Sequence, residues 1–274
     1  MSRRISLFVL LIVLLSGCGT NGAQQEDDRN ARSISLPSTT VVDLTHPFND
    51  ETIYWPTAEG FQREVTAEGV TEQGYFYAAG MFSSAEHGGT HIDAPIHFAE
   101  GGQAVDEIPV DRLIGPSVVI DVSEHASANP DYQITVNDIR DWEIEHRPIP
   151  DGTIVFFRTG LGAFWPDRLR YLGTDQQGVQ AIAELQFPGL DPDAAEWLVE
   201  NRNVLAVGID TPSIDYGQSQ LFETHQVLAG DNISVLENVA NLELLPEEGG
   251  VVVALPMKIE GGSGGPVRII AFVP

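Results

Sequence analysis

Cysteine and lysine are almost absent from this chain of 274 residues, each occurring once, as Cys18 and Lys258. A single cysteine excludes a disulfide within the chain and a metal site built from several thiolates. Basic residues are scarce as well: 14 Lys+Arg against 40 Asp+Glu give a formal net charge of −26. Such a charge repels phosphate backbones and anionic lipid surfaces, which argues against a nucleic-acid partner. Acidity with so little lysine is typical of proteins from salt-rich surroundings, where salt screens the repulsion.

The first residues predict a targeting segment rather than part of the fold. Arg3 and Arg4 precede an apolar run from Ile5 to Leu15, which is short for a transmembrane helix. Leu15-Ser16-Gly17-Cys18 then resembles a bacterial lipobox, whose cysteine becomes lipidated. We therefore expect residues 1–18 to be a lipoprotein signal segment that leaves the protein anchored in the cell envelope through Cys18. An ordinary cleaved signal or an uncleaved anchor is the alternative.

Residues 19–38 are polar and predict a flexible tether, and residues 39–274 predict one α/β domain. The predicted strands are runs rich in β-branched residues with turn residues at their ends, and two predicted helices begin at capping residues. The strands span 41–46, 75–82, 116–122, 152–158, 204–209, 251–255 and 267–272; the helices span 135–145 and 191–201. The glycines of 261–265 predict a hairpin between the last two strands. No Gly-x-Gly-x-x-Gly and no Gly-Lys-Ser/Thr motif supports nucleotide binding.

The stretch His87-Gly-Gly-Thr-His91-Ile-Asp93-Ala-Pro95-Ile-His97 holds three of the seven histidines. Imidazole and carboxylate without thiolate are typical ligands of Zn²⁺ or Mn²⁺. The glycines and Pro95 disfavour a helix, whereas an extended segment places His91 and Asp93 on one side. With His87 they form three ligands, the number typical of a catalytic metal. His97 is either a fourth ligand or a proton-transfer group.

Three residues from other segments are candidates for the same site. His225 lies in Phe222-Glu-Thr-His225-Gln-Val-Leu, and Glu237 follows an apolar strand, where a carboxylate needs a partner or an ion. Trp55, in the loop Ile53-Tyr-Trp-Pro56, either belongs to the core or lines a pocket for a flat ligand.

Together these residues resemble the metal-dependent cyclase-type hydrolase family, which includes bacterial kynurenine formamidases and isatin hydrolases. The resemblance covers the central motif, Asp43-Leu-Thr-His46, Asp210-Thr-Pro-Ser-Ile-Asp215 and Leu236-Glu237-Asn238. It implies a β-barrel-like core with surrounding helices and assembly as a homo-oligomer. It also implies one ion at His87, His91 and Asp93, and, where two are present, a second at Asp93, His225 and Glu237. His97 would transfer protons and Trp55 would line the substrate pocket. The longer 165–190 region favours the isatin-hydrolase side of the family.

The expected activity is therefore hydrolysis of a linear or cyclic amide bond in a small aromatic substrate. Zn²⁺ is the first choice of ion and Mn²⁺ the alternative, with one or two ions per subunit. Contact with a membrane is expected only through the anchor at Cys18. A lipid-tethered solute- or metal-binding protein without catalysis, and a metal-dependent lyase or dehydratase, are the alternative functions.

Overall fold

A computed structural model describes residues 35–36 and 40–274. The predicted signal segment with Cys18 lies outside these residues, as does most of the predicted tether. The described strands are β1 (Thr40–Asp43), β2 (Gln62–Val70), β3 (Phe76–Ser83), β4 (His91–Asp93), β5 (Ile114–Asp121), β6 (Gln133–Ile134), β7 (Thr153–Arg158), β8 (Gly189–Leu190), β9 (Val204–Ile209), β10 (Ser234–Glu237), β11 (Glu248–Pro256) and β12 (Gly264–Val273). The described α-helices are α1 (Ser123–Ala128), α2 (Val136–Glu145), α3 (Arg168–Leu172), α4 (Pro192–Asn201) and α5 (Glu223–Gly230). Short 3₁₀ turns span Pro95–His97, Val110–Arg112, Leu161–Phe164, Val179–Glu184 and Leu242–Leu244.

Seven strands close into a barrel in the order β4-β10-β9-β7-β5-β11-β12, because β12 pairs with β4 again. The strands β5, β7, β9 and β10 run parallel to their neighbours in this series, and the pairs that involve β11, β12 or β4 are antiparallel. β1 extends the sheet by pairing with the end of β12. This architecture confirms the predicted α/β fold with a barrel-like core and surrounding helices.

Buried strands that are apolar on both faces separate two packed layers. On β7, Phe156 belongs to the cluster inside the barrel, whereas Val155 and Phe157 belong to the outer cluster. That outer cluster includes Ile139 of α2 and Leu198 of α4. The barrel interior is therefore filled by side chains, which leaves its ends for a site.

The two helices predicted from capping residues begin where expected. Thr135 and Asp138 form a capping box at the start of α2, each bonding the backbone amide of the other. Asp191 caps α4 by accepting from the amide of Asp193, with Pro192 at the first helical position.

The hairpin of β2 and β3 forms a separate two-stranded sheet outside the barrel.

Among the described residues, no helix has the length and apolar character needed to span a bilayer.

Candidate metal centre

The short strand β4 forms the centre of the site because it is held on both sides. Its alternation places His91 and Asp93 on one face, as the sequence predicts. Pairing with β10 sets Glu237 opposite His91, and pairing with β12 sets Gly264 opposite Asp93. Barrel closure therefore brings Glu237 next to a motif that lies about 145 positions earlier in the sequence.

The Gly88-Gly89 turn brings His87 to the same place. Gly89 has φ +59°, a left-handed conformation that favours glycine. Opposite the turn, a Cβ on Gly264 would lie 2.6 Å from Cε1 of His87. Glycine at position 264 therefore leaves the space that the His87 ring occupies.

His225 reaches the site from the buried face of α5. Its Nδ1 lies 2.5 Å from Oδ2 of Asp215, a buried carboxylate that also accepts from the backbone amides of Thr224 and His225. Asp215 follows β9 in the loop to α5, and it fixes which ring nitrogen of His225 faces the site.

Five predicted ligands converge through their side chains. Asp93 Oδ1 lies 2.6 Å from Nδ1 of His87 and 3.1 Å from Nε2 of His91. Asp93 Oδ2 lies 3.0 Å from Nε2 of His225. Glu237 lies 3.4 Å from Nε2 of His91 and 3.2 Å from Nε2 of His225. Four of these residues are at most 5% exposed, and only His87 is half-buried. The structure thus brings together His87, His91, Asp93, His225 and Glu237.

The electrostatics of this cluster call for added positive charge. The ion pairs that Asp93 and Glu237 make within the described residues all involve histidine. Burial opposes ionisation of Asp93, yet hydrogen bonds from His225 and His87 hold the pKa of its carboxyl well below the usual value. Burial and the charge of Asp93 raise the pKa of Glu237. Two adjacent buried carboxylates are costly unless a proton or a cation lies between them.

The hydrogen bonds on the far side of the His91 and His225 rings indicate whether a proton or a cation suits the space between the two carboxylates. Nδ1 of His91 lies 3.0 Å from the carbonyl oxygen of Gly89, which only accepts, so this nitrogen carries the hydrogen. Burial lowers the pKa of His91, but Asp93 and Glu237 outweigh burial and raise it, so Nε2 either donates a proton to these carboxylates or, in the neutral ring, presents its lone pair to a cation held between them. His225 has the same arrangement, with Asp215 as the acceptor at Nδ1. Histidines that ligate metals typically donate one ring N–H to a carbonyl or carboxylate and face the ion with the other nitrogen. His91 and His225 have this arrangement, so the donor set fits a divalent ion.

His97 lies beside the cluster rather than within its buried part. Its ring stacks on His87 at 3.8 Å between centroids, and the ligand atoms of His87, Asp93 and His97 also lie within 4.8 Å of one another. Burial lowers the pKa of His97 to about 4. Its imidazole is therefore neutral near pH 7, the state that a proton acceptor requires, and a pKa this low makes it a weak base.

A cavity of about 300 Å³ opens onto these groups. Trp55 lines it and its ring also contacts the rings of Phe187 and Phe222, so both interpretations of Trp55 hold in part. Phe98 and Phe222 complete an aromatic wall, and no lysine or arginine is among the described residues that line the cavity. The space therefore suits a flat and neutral ligand.

Sequence patterns did not assign roles to several residues of this site. Phe98 follows His97 in the sequence, and Phe222 lies three residues before His225. Aromatic residues at such positions are equally typical of a hydrophobic core, so the sequence does not assign them to the site. Ser263 donates its hydroxyl to Glu86 and lies 2.9 Å from Nε2 of His87 across 176 positions of sequence. Such a contact depends on the register of β12 and leaves no local signal.

The family is decided by comparison with known proteins. Residues 42–216 match the family model described as "Putative cyclase". The chain belongs to this cyclase family.

Two curated relatives are similar over most of the chain. An isatin hydrolase of Roseibium aggregatum is 36% identical over 209 residues, which cover 73% of this chain and 77% of the relative. A kynurenine formamidase of Salinibacter ruber is 30% identical over 234 residues, which cover 84% of this chain and 96% of the relative.

Solved structures of the cyclase family agree with the fold. An isatin hydrolase bound to the product analogue thioisatinate superposes with a TM-score of 0.76 at 32% identity, covering 86% of this chain and 93% of that one. A potential metal-dependent hydrolase with cyclase activity gives 0.63 at 26% identity, covering 86% and 99%. These findings confirm the prediction of a metal-dependent hydrolase of the cyclase family.

Proposed function

We propose that this cyclase-family hydrolase opens the amide C–N bond of a small, neutral aromatic substrate, with a cyclic amide of the isatin type as the best candidate. The convergence of His87, His91, Asp93, His225 and Glu237 beneath an aromatic cavity carries this proposal. The higher identity to an isatin hydrolase than to a kynurenine formamidase supports it as well. A zwitterionic substrate such as N-formylkynurenine would need a cationic anchor for its carboxylate, and the lining offers none among the described residues.

The five ligands would hold one or two divalent ions. Zn²⁺ is the first choice because imidazole and carboxylate suit it, and Mn²⁺ is the alternative. When bound, such an ion polarises the substrate carbonyl and makes water a stronger nucleophile near neutral pH.

The protein's own groups supply orientation and proton transfer. Trp55, Phe98 and Phe222 pack against the aromatic ring and exclude water from it. His97 takes a proton from the attacking water and delivers it to the leaving nitrogen as the C–N bond breaks. Asp215 and Ser263 hold the rings of His225 and His87 in place.

Two substitutions test this assignment. We expect His97→Ala to retain bound metal and to lose about 100-fold or more in kcat, because a positioned acid–base group contributes about that much. We expect Asp93→Ala to lose both the metal and the activity, because its two oxygens face three histidines. His125→Ala, at a histidine whose side chain is 61% exposed, serves as the control.

The measurements are metal content by mass spectrometry and turnover of isatin, N-formylkynurenine and cyclic imides with Zn²⁺ or Mn²⁺. Full activity of the His97→Ala variant would remove the proton-transfer role. Loss of metal from that variant would make His97 a fourth ligand instead. Faster turnover of N-formylkynurenine than of isatin would contradict the neutral substrate.

We also propose that the mature enzyme is a lipoprotein of the cell envelope, anchored through Cys18. The basic pair Arg3-Arg4, the apolar run and the Leu15-Ser-Gly-Cys18 sequence support this location.

A further inference from the structure

A second cavity, here called the side cavity, lies directly beside the one over the metal ligands. Its volume is about 360 Å³, and its lining comes from two segments, residues 50–60 and residues 166–177. Tyr54, Trp55 and Ala58 line both spaces and therefore form the wall between them. Tyr54 also pairs through its backbone with Gly88, which attaches this wall to the turn that carries His87. The side cavity is thus a neighbour of the metal centre.

Arg168 is the cationic group of the side cavity. The Nε and Nη2 atoms of its guanidinium are buried, and neither has a hydrogen-bond partner within the described residues. Burial lowers the pKa of this guanidinium, against the opposing charge of Asp175. Asp50 and Glu51 line the same cavity, but both are exposed, and neither forms an ion pair with Arg168. The side cavity therefore holds a half-buried positive charge without a partner.

The other half-buried arginines of the described chain all have partners. Arg158 and Arg202 each form an ion pair with a carboxylate, and Arg112 donates to two backbone carbonyl groups. Buried polar groups in folded proteins are nearly always hydrogen-bonded, because an unpaired one costs free energy. Arg168 is the exception, and it is the one that lines a cavity next to the metal centre. A bound anion is therefore the expected partner of its guanidinium.

The rest of the lining indicates which anion fits. A guanidinium binds a carboxylate through two parallel N–H donors. Tyr54, Trp55 and Pro56 give the side cavity an aromatic and apolar wall, against which a flat ring can pack. A volume of this size holds a small organic molecule. Together these features fit a small aromatic carboxylate.

We propose that the side cavity binds the carboxylate of the ring-opened product as it leaves the metal centre. This inference rests on the proposed function. When water opens a cyclic amide, the C–N bond breaks, the former carbonyl carbon becomes a carboxylate, and the nitrogen leaves as an amine. A neutral substrate thus becomes an anion beside Asp93 and Glu237, in a chain with a formal net charge of −26.

Arg168 offsets the repulsion that this anion meets on its way out. The side chain of Trp55 is the large half-buried group in the shared wall, so its movement would join the two spaces. The neutral substrate has no carboxylate for the guanidinium to bind. The side cavity therefore distinguishes product from substrate and draws the product away from the metal.

The first experiment observes the guanidinium directly. The full chain carrying Cys18→Ser is loaded with Zn²⁺ and labelled with ¹⁵N at arginine, and the Nε–H signal of Arg168 is identified by its absence from the Arg168→Gln spectrum. This signal should shift saturably with phenylglyoxylate and should not shift with phenylglyoxylamide, which has the same ring without the charge. Inorganic phosphate is the third probe and should bind more weakly, because it lacks a ring for the aromatic wall.

The second experiment compares variants. Arg168→Gln should raise the inhibition constant of phenylglyoxylate against isatin turnover by about 10-fold or more, because hydrogen bonds to charged groups are the strong ones. The KM of isatin should stay within about twofold, because a neutral substrate does not use the guanidinium. Arg170→Gln, at an exposed arginine of the same helix outside the side cavity, is the matched control and should keep both constants.

Urea unfolding separates a ligand-binding role from a structural one. The Arg168→Gln variant should unfold at the same urea concentration as the parent or at a higher one, because it removes a half-buried charge that has no partner. A lower midpoint would overturn the proposal, since it would show that the guanidinium supports the fold.

Other results would also overturn it. These are an Arg168 signal that ignores phenylglyoxylate, one that responds equally to the amide, and phosphate binding as tight as that of phenylglyoxylate. A raised KM of isatin in Arg168→Gln would place the guanidinium in substrate binding instead. The titration and the unfolding need no turnover, so a failure of the proposed amide hydrolysis is distinguishable from a failure of this inference.

Discussion

Asp215→Asn isolates the contribution of a residue that would support the metal without touching it. Asp215 accepts from Nδ1 of His225 at 2.5 Å, from the amides of Thr224 and His225, and from the hydroxyl of Ser219. Asparagine keeps the size of the side chain but replaces one carboxylate oxygen by a donor group. Where the amide nitrogen faces the ring, His225 loses the acceptor that holds its hydrogen on Nδ1 and its lone pair on Nε2; in the other orientation the ring keeps only a neutral carbonyl oxygen in place of a carboxylate.

The expected magnitude follows from the role of such partners. Loss of a carboxylate that orients a metal-ligating histidine lowers metal affinity about 10- to 100-fold, or about 1.4–2.7 kcal/mol. His225 is buried and its Nε2 lies within 3.2 Å of both Asp93 and Glu237, so a rotated ring has few alternative positions. We therefore expect the upper part of that range.

The assay is competition for Zn²⁺ and Mn²⁺ against a chromophoric chelator at neutral pH. Asp231→Asn, at an exposed acid at the other end of α5, is the control. Urea unfolding of the metal-free variants separates a loss of affinity from a loss of fold. A dissociation constant within about twofold of the parent would refute the reasoning, because it would show that Asp215 does not orient a ligand.

Two other predictions concern parts of the chain away from the donor cluster. Burial lowers the pKa of His46 to about 4, and its ring stacks on Trp165. As pH falls, the unfolded chain takes up a proton on His46 first, because its pKa there is near 6.5. The free energy of unfolding therefore keeps its full contribution from His46 above about pH 6.5 and falls by on the order of 2–3 kcal/mol as pH drops toward 4. His46→Phe keeps the stack and should flatten the fall in urea midpoint over that range; an unchanged slope would contradict it. Labelled palmitate should enter the parent chain in a bacterial host but not the Cys18→Ser variant, and equal labelling would exclude the anchor.

Local signals allowed much of the fold to be predicted. The strand 204–209 coincides with β9, and α4 begins and ends where its cap and its last apolar turn predict. The strand β2 was missed because Gln62–Val70 carries polar residues and a glycine without strict alternation. Its strand character comes from pairing with β3, and such pairing is not visible in nine residues. The helix α5 was missed for a similar reason: it is short, and its N-cap residue, Phe222, has no side chain that can cap it.

The candidate site was also predictable only in part from the sequence. The density of histidine around Asp93 was visible in the sequence, and the structure brings the predicted His225 and Glu237 to it. Their roles as ligands stay predictions. The supporting contacts of Asp215 and Ser263 arise from loops whose ends are set by barrel register, so no local pattern could have assigned them.

The seam of the barrel has a consequence for biosynthesis. β4 is held between β10 and β12, and β12 is the last of the described strands in chain order. A nascent chain therefore cannot complete the candidate metal centre until β12 has been made, because this strand closes the ring. We expect a chain interrupted before β12 to lack both the closed ring and a bound ion, so that such a fragment would neither consume scarce metal nor turn over substrate.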